Sequence, residues 1–499
     1  MPYANRQSFP LLVTMASRRG SRPMDNIVRL RRRRELSPTV AEIEPPKENK
    51  PLLGTTSILL IGFALLILVG GSLLTLPVAN NGSGSTPIET AFFTSVSAVT
   101  VTGHTVVNSS TYWSTFGHTV IFVLILVGGL GFMVVSTFIL LLIGQRSTLQ
   151  ERMLTRGLMR DTVGVDHMGG LRHLSRAVIL AVFLLYLVGA AALFIQIQGT
   201  VDGMSTLREL WHSLFLSVSS FNNAGFQIFP EADGGSVARF ISSPGLLLIM
   251  TFLMILGGLG WVLVVDVFRK RRISRFSLET KLVLVTSILL WVLGGGVLYL
   301  SEFANSETMG DLSWFDKIIG AIFSSVSGRT AGFSIIDFSQ VEEVTKTTFS
   351  GLMFIGGAAG SVAGGIKVGT FAVLMAAVIS SLRGRPHAEA FGREIHQSQL
   401  QRALTVAVLG LGFVVVSATI LTTLEPELEF LDVIFDTVSA FGTTGASTGI
   451  IPDTGLVSKI LFMILMYVGR LGPVALALAL APENDTEVYR FAQESVKIG

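Results

Sequence analysis

Apolar and polar stretches alternate regularly along this chain. Mostly apolar runs occupy residues 55–77, 117–143, 176–197, 244–268, 280–300, 348–382, 403–423 and 457–481. Each is long enough to cross a bilayer, which takes about 20 residues of apolar helix. Between the two runs of each successive pair lies a short element with its own pattern. Phe93-Thr94-Ser95-Val96-Ser97 leads to Gly103, and Phe215-Leu216-Ser217-Val218-Ser219 leads to Gly225. Phe323-Ser324-Ser325-Val326-Ser327 leads to Gly332, and Phe435-Asp436-Thr437-Val438-Ser439 leads to Gly445. The Phe-to-Gly offset is ten residues in three copies and nine in the third. Four copies in matching places, about every 110 residues, mark a duplicated unit.

The pattern predicts an all-α polytopic membrane protein built from four M1–pore helix–M2 repeats. Each repeat has a spanning helix, a short pore helix with a re-entrant loop, and a second spanning helix. The sum is eight crossings and four pore loops around one central pore. The repeats fall at residues 55–143, 176–268, 280–382 and 403–481, between a basic arm (1–54) and a tail (482–499).

Composition narrows the class. Of the 499 residues 50% are hydrophobic and 14% charged, and the mean hydropathy is +0.63. That much apolar surface cannot be hidden in a water-soluble chain of this length. The 52 glycines suit close helix contacts and irregular backbone at membrane depth. Cysteine is absent, which excludes disulfides, thiolate metal sites and cysteine nucleophiles. Nothing in the charge pattern points to nucleic acid. The arm carries Arg at 18, 19, 22 and 31–34 with no apolar run placed to make a secretory signal. It reads as a disordered cytoplasmic arm or as residues upstream of a start at Met15 or Met24. Anionic lipid is the alternative partner for its arginines.

Basic residues set the orientation. Arg146, Arg152, Arg156, Arg160, Arg172 and Arg176 mark one connection, and Arg269, Lys270, Arg271, Arg272 and Arg275 the next. Arg383, Arg385, Arg393 and Arg402 mark a third. The opposite side is acidic, with Glu231, Asp233, Glu302, Glu307, Asp311, Glu425, Glu427 and Glu429. Both termini are therefore expected in the cytoplasm of a multi-pass plasma (inner) membrane protein, with the pore loops outward. No cytoplasmic connection is long enough for a nucleotide-binding domain.

Non-helical backbone at membrane depth survives where it is buried in protein or lines a water-filled path. The four loops are expected to form a K⁺ selectivity filter from Val101, Thr102 and Gly103; Asn223, Ala224 and Gly225; Thr330, Ala331 and Gly332; and Thr443, Thr444 and Gly445. No carboxylate occupies these positions, so the ligands are main-chain carbonyls, which suit a dehydrated monovalent cation. The second long helix of each repeat carries glycines of its own: Gly128-Gly129-Leu130-Gly131, Gly257-Gly258-Leu259-Gly260, Gly356-Gly357-Ala358-Ala359-Gly360 and Gly469-Arg470-Leu471-Gly472. In the first two, close helix packing accounts for them. The run 348–382 is too long for one crossing and holds Gly356, Gly357, Gly360, Gly364 and Gly365, a poor helix interior. A broken helix with an intramembrane gate loop is expected there. Arg470 stands alone midway along its span. Two readings stand: a tie to the carbonyls of a neighbouring loop, or a fixed positive charge below the filter. Lys367 is placed to snorkel, and His104 reads as a mouth residue rather than a metal ligand.

At Thr102-Gly103, Asn223-Ala224-Gly225-Phe226, Arg329-Thr330-Ala331-Gly332-Phe333 and Thr443-Thr444-Gly445, at the glycine-rich third M2 and at Arg470, the chain resembles the superfamily of K⁺ transporters containing TrkH, KtrB and plant HKT proteins. The resemblance covers residues 55–481. Without an extra helix pair before the first repeat, it is most similar to the KtrB branch. It implies a homodimer with one pore per subunit and a separate KtrA/TrkA-like cytoplasmic nucleotide-binding subunit. Glycine at all four filter positions favours K⁺ over Na⁺, since a serine in the first accompanies Na⁺ transport in some plant relatives. K⁺ is then the cargo, with Na⁺ the alternative cargo or coupling ion, and no covalent cofactor is called for. A more remote alternative, an intramembrane enzyme, finds no constellation of histidines or carboxylates within the spans.

Overall fold

The computed structural model describes residues 55–143, 168–198, 204–229 and 237–472. The expected basic arm, the tail, residues 473–481 of the last span, the arginines between 146 and 160, and Glu231 and Asp233 lie outside the described residues.

Long helices flank short ones four times over. The first group is α1 (Thr55–Thr75), α2 (Ile88–Thr100) and α3 (Thr115–Ile143). The second is α4 (Met168–Ile197), α5 (Thr206–Phe221), α6 (Pro244–Leu259) and α7 (Trp261–Lys270). The third is α8 (Leu278–Glu302), α9 (Trp314–Thr330), α10 (Glu343–Phe354) and α11 (Val368–Leu382). The last is α12 (Gln397–Leu424), α13 (Phe430–Gly442) and α14 (Leu456–Leu471). The only strands among the described residues are a two-residue hairpin between α11 and α12, pairing Glu389 with Glu394 and Ala390 with Arg393.

The polarity is that of a chain whose solvent is lipid. Long helices turn large apolar side chains outward: Leu180, Leu184 and Leu187 on α4, Leu289, Val292 and Leu293 on α8, Val408, Leu411 and Val415 on α12. The short helices α2, α5, α9 and α13 are rich in buried Ser and Thr instead. With 13 to 17 residues they fall short of a bilayer crossing. Val178–Ile197, α8 and α12 are each long and apolar enough to cross a membrane, and the pair α6 and α7 is so when taken together.

The short helices are arranged cyclically. Each packs on the long helices of its own group and on the glycine-bearing helix of the preceding one: α5 on α3, α9 on α6, α13 on α10, and α2 on α14, which closes the ring.

Two helices break. The stretch 348–382 is interrupted between α10 and α11, as its glycines predict. The stretch 244–268, where close packing alone was expected of the glycines, is two helices bent by 99° at Gly260. Gly260 has φ 75°, a left-handed conformation that costs a glycine little. Gly131, at the same place in its motif, stays inside α3.

Candidate functional site

The recurrent Phe-x-Ser/Thr-Val-Ser pattern is explained by hydrogen bonds. The carbonyl of its last residue accepts the N–H of the residue before the loop glycine in every copy. Ser97 accepts from Thr102 at 2.8 Å, Ser219 from Ala224 at 2.8 Å, Ser327 from Ala331 at 2.7 Å and Ser439 from Thr444 at 2.9 Å. The serine hydroxyls complete the tie in two ways. Those of Ser97 and Ser439 accept the N–H of Gly103 and Gly445, both at 3.1 Å. Those of Ser219 and Ser327 donate to the carbonyls of Phe226 and Phe333, both at 2.6 Å.

The middle hydroxyl anchors the short helix to its neighbour. Ser95, Ser217 and Ser325 donate to the carbonyls of Ile67 in α1, Tyr186 in α4 and Trp291 in α8, at 2.8, 2.8 and 2.7 Å. Thr437 bonds within its own helix, to Val433. Sequence reasoning named this pattern as a marker; the bonds show what each hydroxyl does.

The loops turn through left-handed residues. Val101, Asn223 and Thr443 have φ of 57°, 54° and 48°, each two positions before the glycine. The third loop has one residue fewer, and no left-handed residue precedes its glycine. All four glycines have positive φ: 96° at Gly103, 70° at Gly225, 73° at Gly332 and 90° at Gly445.

The glycines meet. A β carbon on Gly103 would lie 2.6 Å from the carbonyl oxygen of Ala224, and one on Gly225 2.8 Å from that of Ala331. One on Gly332 would strike the carbonyl oxygen of Thr444, and one on Gly445 that of Thr102. The order is cyclic. Each glycine abuts the carbonyl just before the next glycine round the ring. Of the expected loop residues, Val101, Thr102, Asn223, Ala224, Thr330, Ala331, Thr443 and Thr444 are buried. The result is a layer of four main-chain oxygens with no carboxylate among those positions. Among the described residues no cluster of three His or carboxylate side chains could hold a metal.

Beside this layer lie the glycine-rich segments. Gly128, Gly257 and Gly469 press against the carbonyls of Val99, Phe221 and Phe441, at the ends of α2, α5 and α13, where any side chain would intrude. In the third group Gly356 presses on Gly364 of its own loop instead.

That loop, residues 355–367, is laced to α6 and α14. Ala358 donates its N–H to Gly258 at 2.9 Å, Val362 to Gly257 at 3.3 Å, and Gly365 to Gly469 at 3.1 Å. Its ends are stitched to each other, Gly356 N–H to the Ile366 carbonyl at 2.8 Å. Arg470, fully buried, donates to the carbonyl of Val362 and, at 3.0 Å, to that of Gly128 in α3. Of its two readings, the tie to a neighbouring loop is geometrically present. Lys367 folds back on the loop, donating to Ala363 at 2.5 Å. His104 is buried next to Gly103.

Arg329 was missed as a site residue. Its Nε donates to the Ile355 carbonyl at 3.0 Å and its Nη2 to that of Gly356 at 2.8 Å. The signal was available: a lone charge in the inner turn of an otherwise Ser- and Gly-rich helix.

The TrkH family, described as cation transport protein, matches residues 56–489. Ktr system potassium uptake protein B of Bacillus subtilis is 35% identical over 433 residues, 86% of this chain and 94% of the relative. The potassium/sodium uptake protein NtpJ of Enterococcus hirae is 33% identical over 459 residues, 91% of this chain and 99% of the relative. The crystal structure of the potassium transporter TrkH from Vibrio parahaemolyticus superposes with a TM-score of 0.67 at 18% identity, covering 87% of this chain and 86% of that one. With the family's model matched over residues 56–489 and relatives at 35% and 33% identity covered almost end to end, the chain belongs to the TrkH family of cation transport proteins.

Proposed function

We propose that this membrane protein takes up potassium across the plasma membrane, through a selectivity filter made by the four loops. The observation that carries this reading is the cyclic contact of Gly103, Gly225, Gly332 and Gly445 with the carbonyls of Ala224, Ala331, Thr444 and Thr102. Fixed carbonyl dipoles can replace the water around a monovalent cation, and no carboxylate is there to favour a divalent one. Four short helices end at the layer and turn their negative C-terminal dipoles toward the cation.

In this reading the protein has eight crossings in four repeats, with the boundaries expected from sequence, and both termini in the cytoplasm. Residues 356–365 with Arg470 form the gate below the filter. The bonds from the loop to Gly257, Gly258 and Gly469 and from Arg470 to Val362 support a closed position. The protein works as a homodimer with a cytoplasmic nucleotide-binding subunit. The Ktr system names of relatives support a multi-component assembly.

A second reading, Na⁺ as cargo or coupling ion, is favoured by one relative named for potassium and sodium uptake. Uptake of Rb⁺ against Na⁺ in proteoliposomes separates the two. Rb⁺ uptake that Na⁺ does not outcompete supports potassium. Equal uptake of both ions overturns a potassium filter.

A further inference from the structure

Arg329 joins two parts of the molecule that function keeps apart. Its main chain belongs to the filter. It immediately precedes Thr330, Ala331 and Gly332, and its carbonyl accepts the Thr444 hydroxyl of the fourth loop at 3.2 Å. Its side chain belongs to the glycine-rich loop. Nε and Nη2 grip the carbonyls of Ile355 and Gly356, where α10 ends. Those carbonyls lie past the last turn of a helix and need outside donors. The guanidinium meets the need with a rigid fork that no other side chain offers. It is buried, and the Trp291 ring lies 5.7 Å away. That tryptophan's carbonyl also holds Ser325 of the same helix.

The loop's entrance and exit move together, because Gly356 bonds Ile366 and Ile366 bonds Phe354. Displacing the loop therefore breaks the fork or pulls on Arg329. The third filter loop has no slack to absorb a pull, since it is one residue short and lacks the left-handed turn of the others.

We infer that Arg329 is a positioning residue that couples the glycine-rich loop to the filter, so that the state of the loop sets the quality of ion selection. This rests on the reading of the four loops as a filter and of residues 356–365 as the gate.

The chain has no cysteine, so a single reporter tells where the loop is without reference to ion flux. Ser361, fully buried in the loop, is close in shape to cysteine. In full-length protein in proteoliposomes, Ser361→Cys resists a water-soluble thiol reagent. Adding Arg329→Gln exposes it, with a rise of about tenfold or more in labelling rate, as expected for local opening. The same substitution lowers the Rb⁺ to Na⁺ uptake ratio by about fivefold or more, the usual scale of coupling between sites. Arg329→Lys keeps the charge but loses the fork, and gives the same two changes if the glutamine variant does not insert.

An exposed reporter with an unchanged ratio overturns the coupling, because the loop then moves without the filter. A changed ratio with a protected reporter overturns it too, because Arg329 then acts on the filter alone. Gly103→Ser is measured alongside. If it shifts the ratio and Arg329→Gln does not, the coupling fails and the filter stands. If neither shifts the ratio, the filter reading itself fails.

Discussion

Thr102, in the first loop, lays its carbonyl oxygen where a side chain on Gly445, in the fourth, would have to begin. The contact joins the two ends of the repeat series, so the ring closes through main-chain atoms. A side chain at any of the four glycines must displace a neighbour's carbonyl as well as strain its own positive φ. Gly103→Ser is expected to lower K⁺ over Na⁺ selection by about tenfold, about 1.4 kcal/mol of differential binding. Competitive uptake of Rb⁺ and Na⁺ in K⁺-uptake-deficient cells measures it. An unchanged ratio at normal expression would sink the assignment.

Arg470 holds the loop by Val362 and the first group by Gly128. In the proposed gate, Arg470→Ala removes a pin and a positive charge, both of which would hinder a passing cation. Faster Rb⁺ flux with unchanged selectivity is expected, by about tenfold if the barrier falls by about 1.4 kcal/mol. Flux at or below the wild-type level, in correctly inserted protein, would make the residue scaffold alone.

Shortening the loop tests the gate from the other side. Removal of several residues from 356–365 deletes donors to Gly257, Gly258 and Gly469. Flux should rise in the absence of any cytoplasmic partner. A protein that remains folded and binds K⁺ but conducts nothing would show that the loop supports the pore instead of closing it.

Tyr186 supports the second loop twice. Its carbonyl accepts from Ser217 at 2.8 Å and its hydroxyl from Asn222, also at 2.8 Å. Asn222 immediately precedes the left-handed Asn223. Tyr186→Phe deletes one buried bond and should cost about 1 kcal/mol of stability. Thermal unfolding in detergent reads the loss, and an unchanged Tm would place the hydroxyl outside the support of the loop.

Hydrophobic run lengths sufficed to order the helices, because lipid forces apolar faces outward over lengths set by the bilayer. The four glycines were legible because one motif in fourfold register is hard to produce otherwise. The bend at Gly260 was not. A glycine inside a helix and one that breaks it read alike, as Gly131 and Gly260 show, and the neighbouring groups decide between them. Arg329 reads in the sequence only as part of the third loop's motif, since no local pattern tells which way a side chain reaches. Its partners at Ile355 and Gly356 come from the loop that follows the next helix.

The acceptors on neighbouring helices that hold the glycine-rich loop are carbonyls of Gly257, Gly258 and Gly469. Every amino acid carries a carbonyl, so substitution there cannot erase the acceptor and can only crowd it. On the receiving side of this latch, substitution acts only through the side chain it adds, which at Gly257 or Gly469 would run into the carbonyl of Phe221 or Phe441. Loss of a bond without such a clash is left to the donors whose side chains can be exchanged, and among the described residues these are Arg470 and Arg329. Selection for leaky variants, in cells that starve without K⁺, should return to these two codons repeatedly while leaving the glycines of the latch untouched.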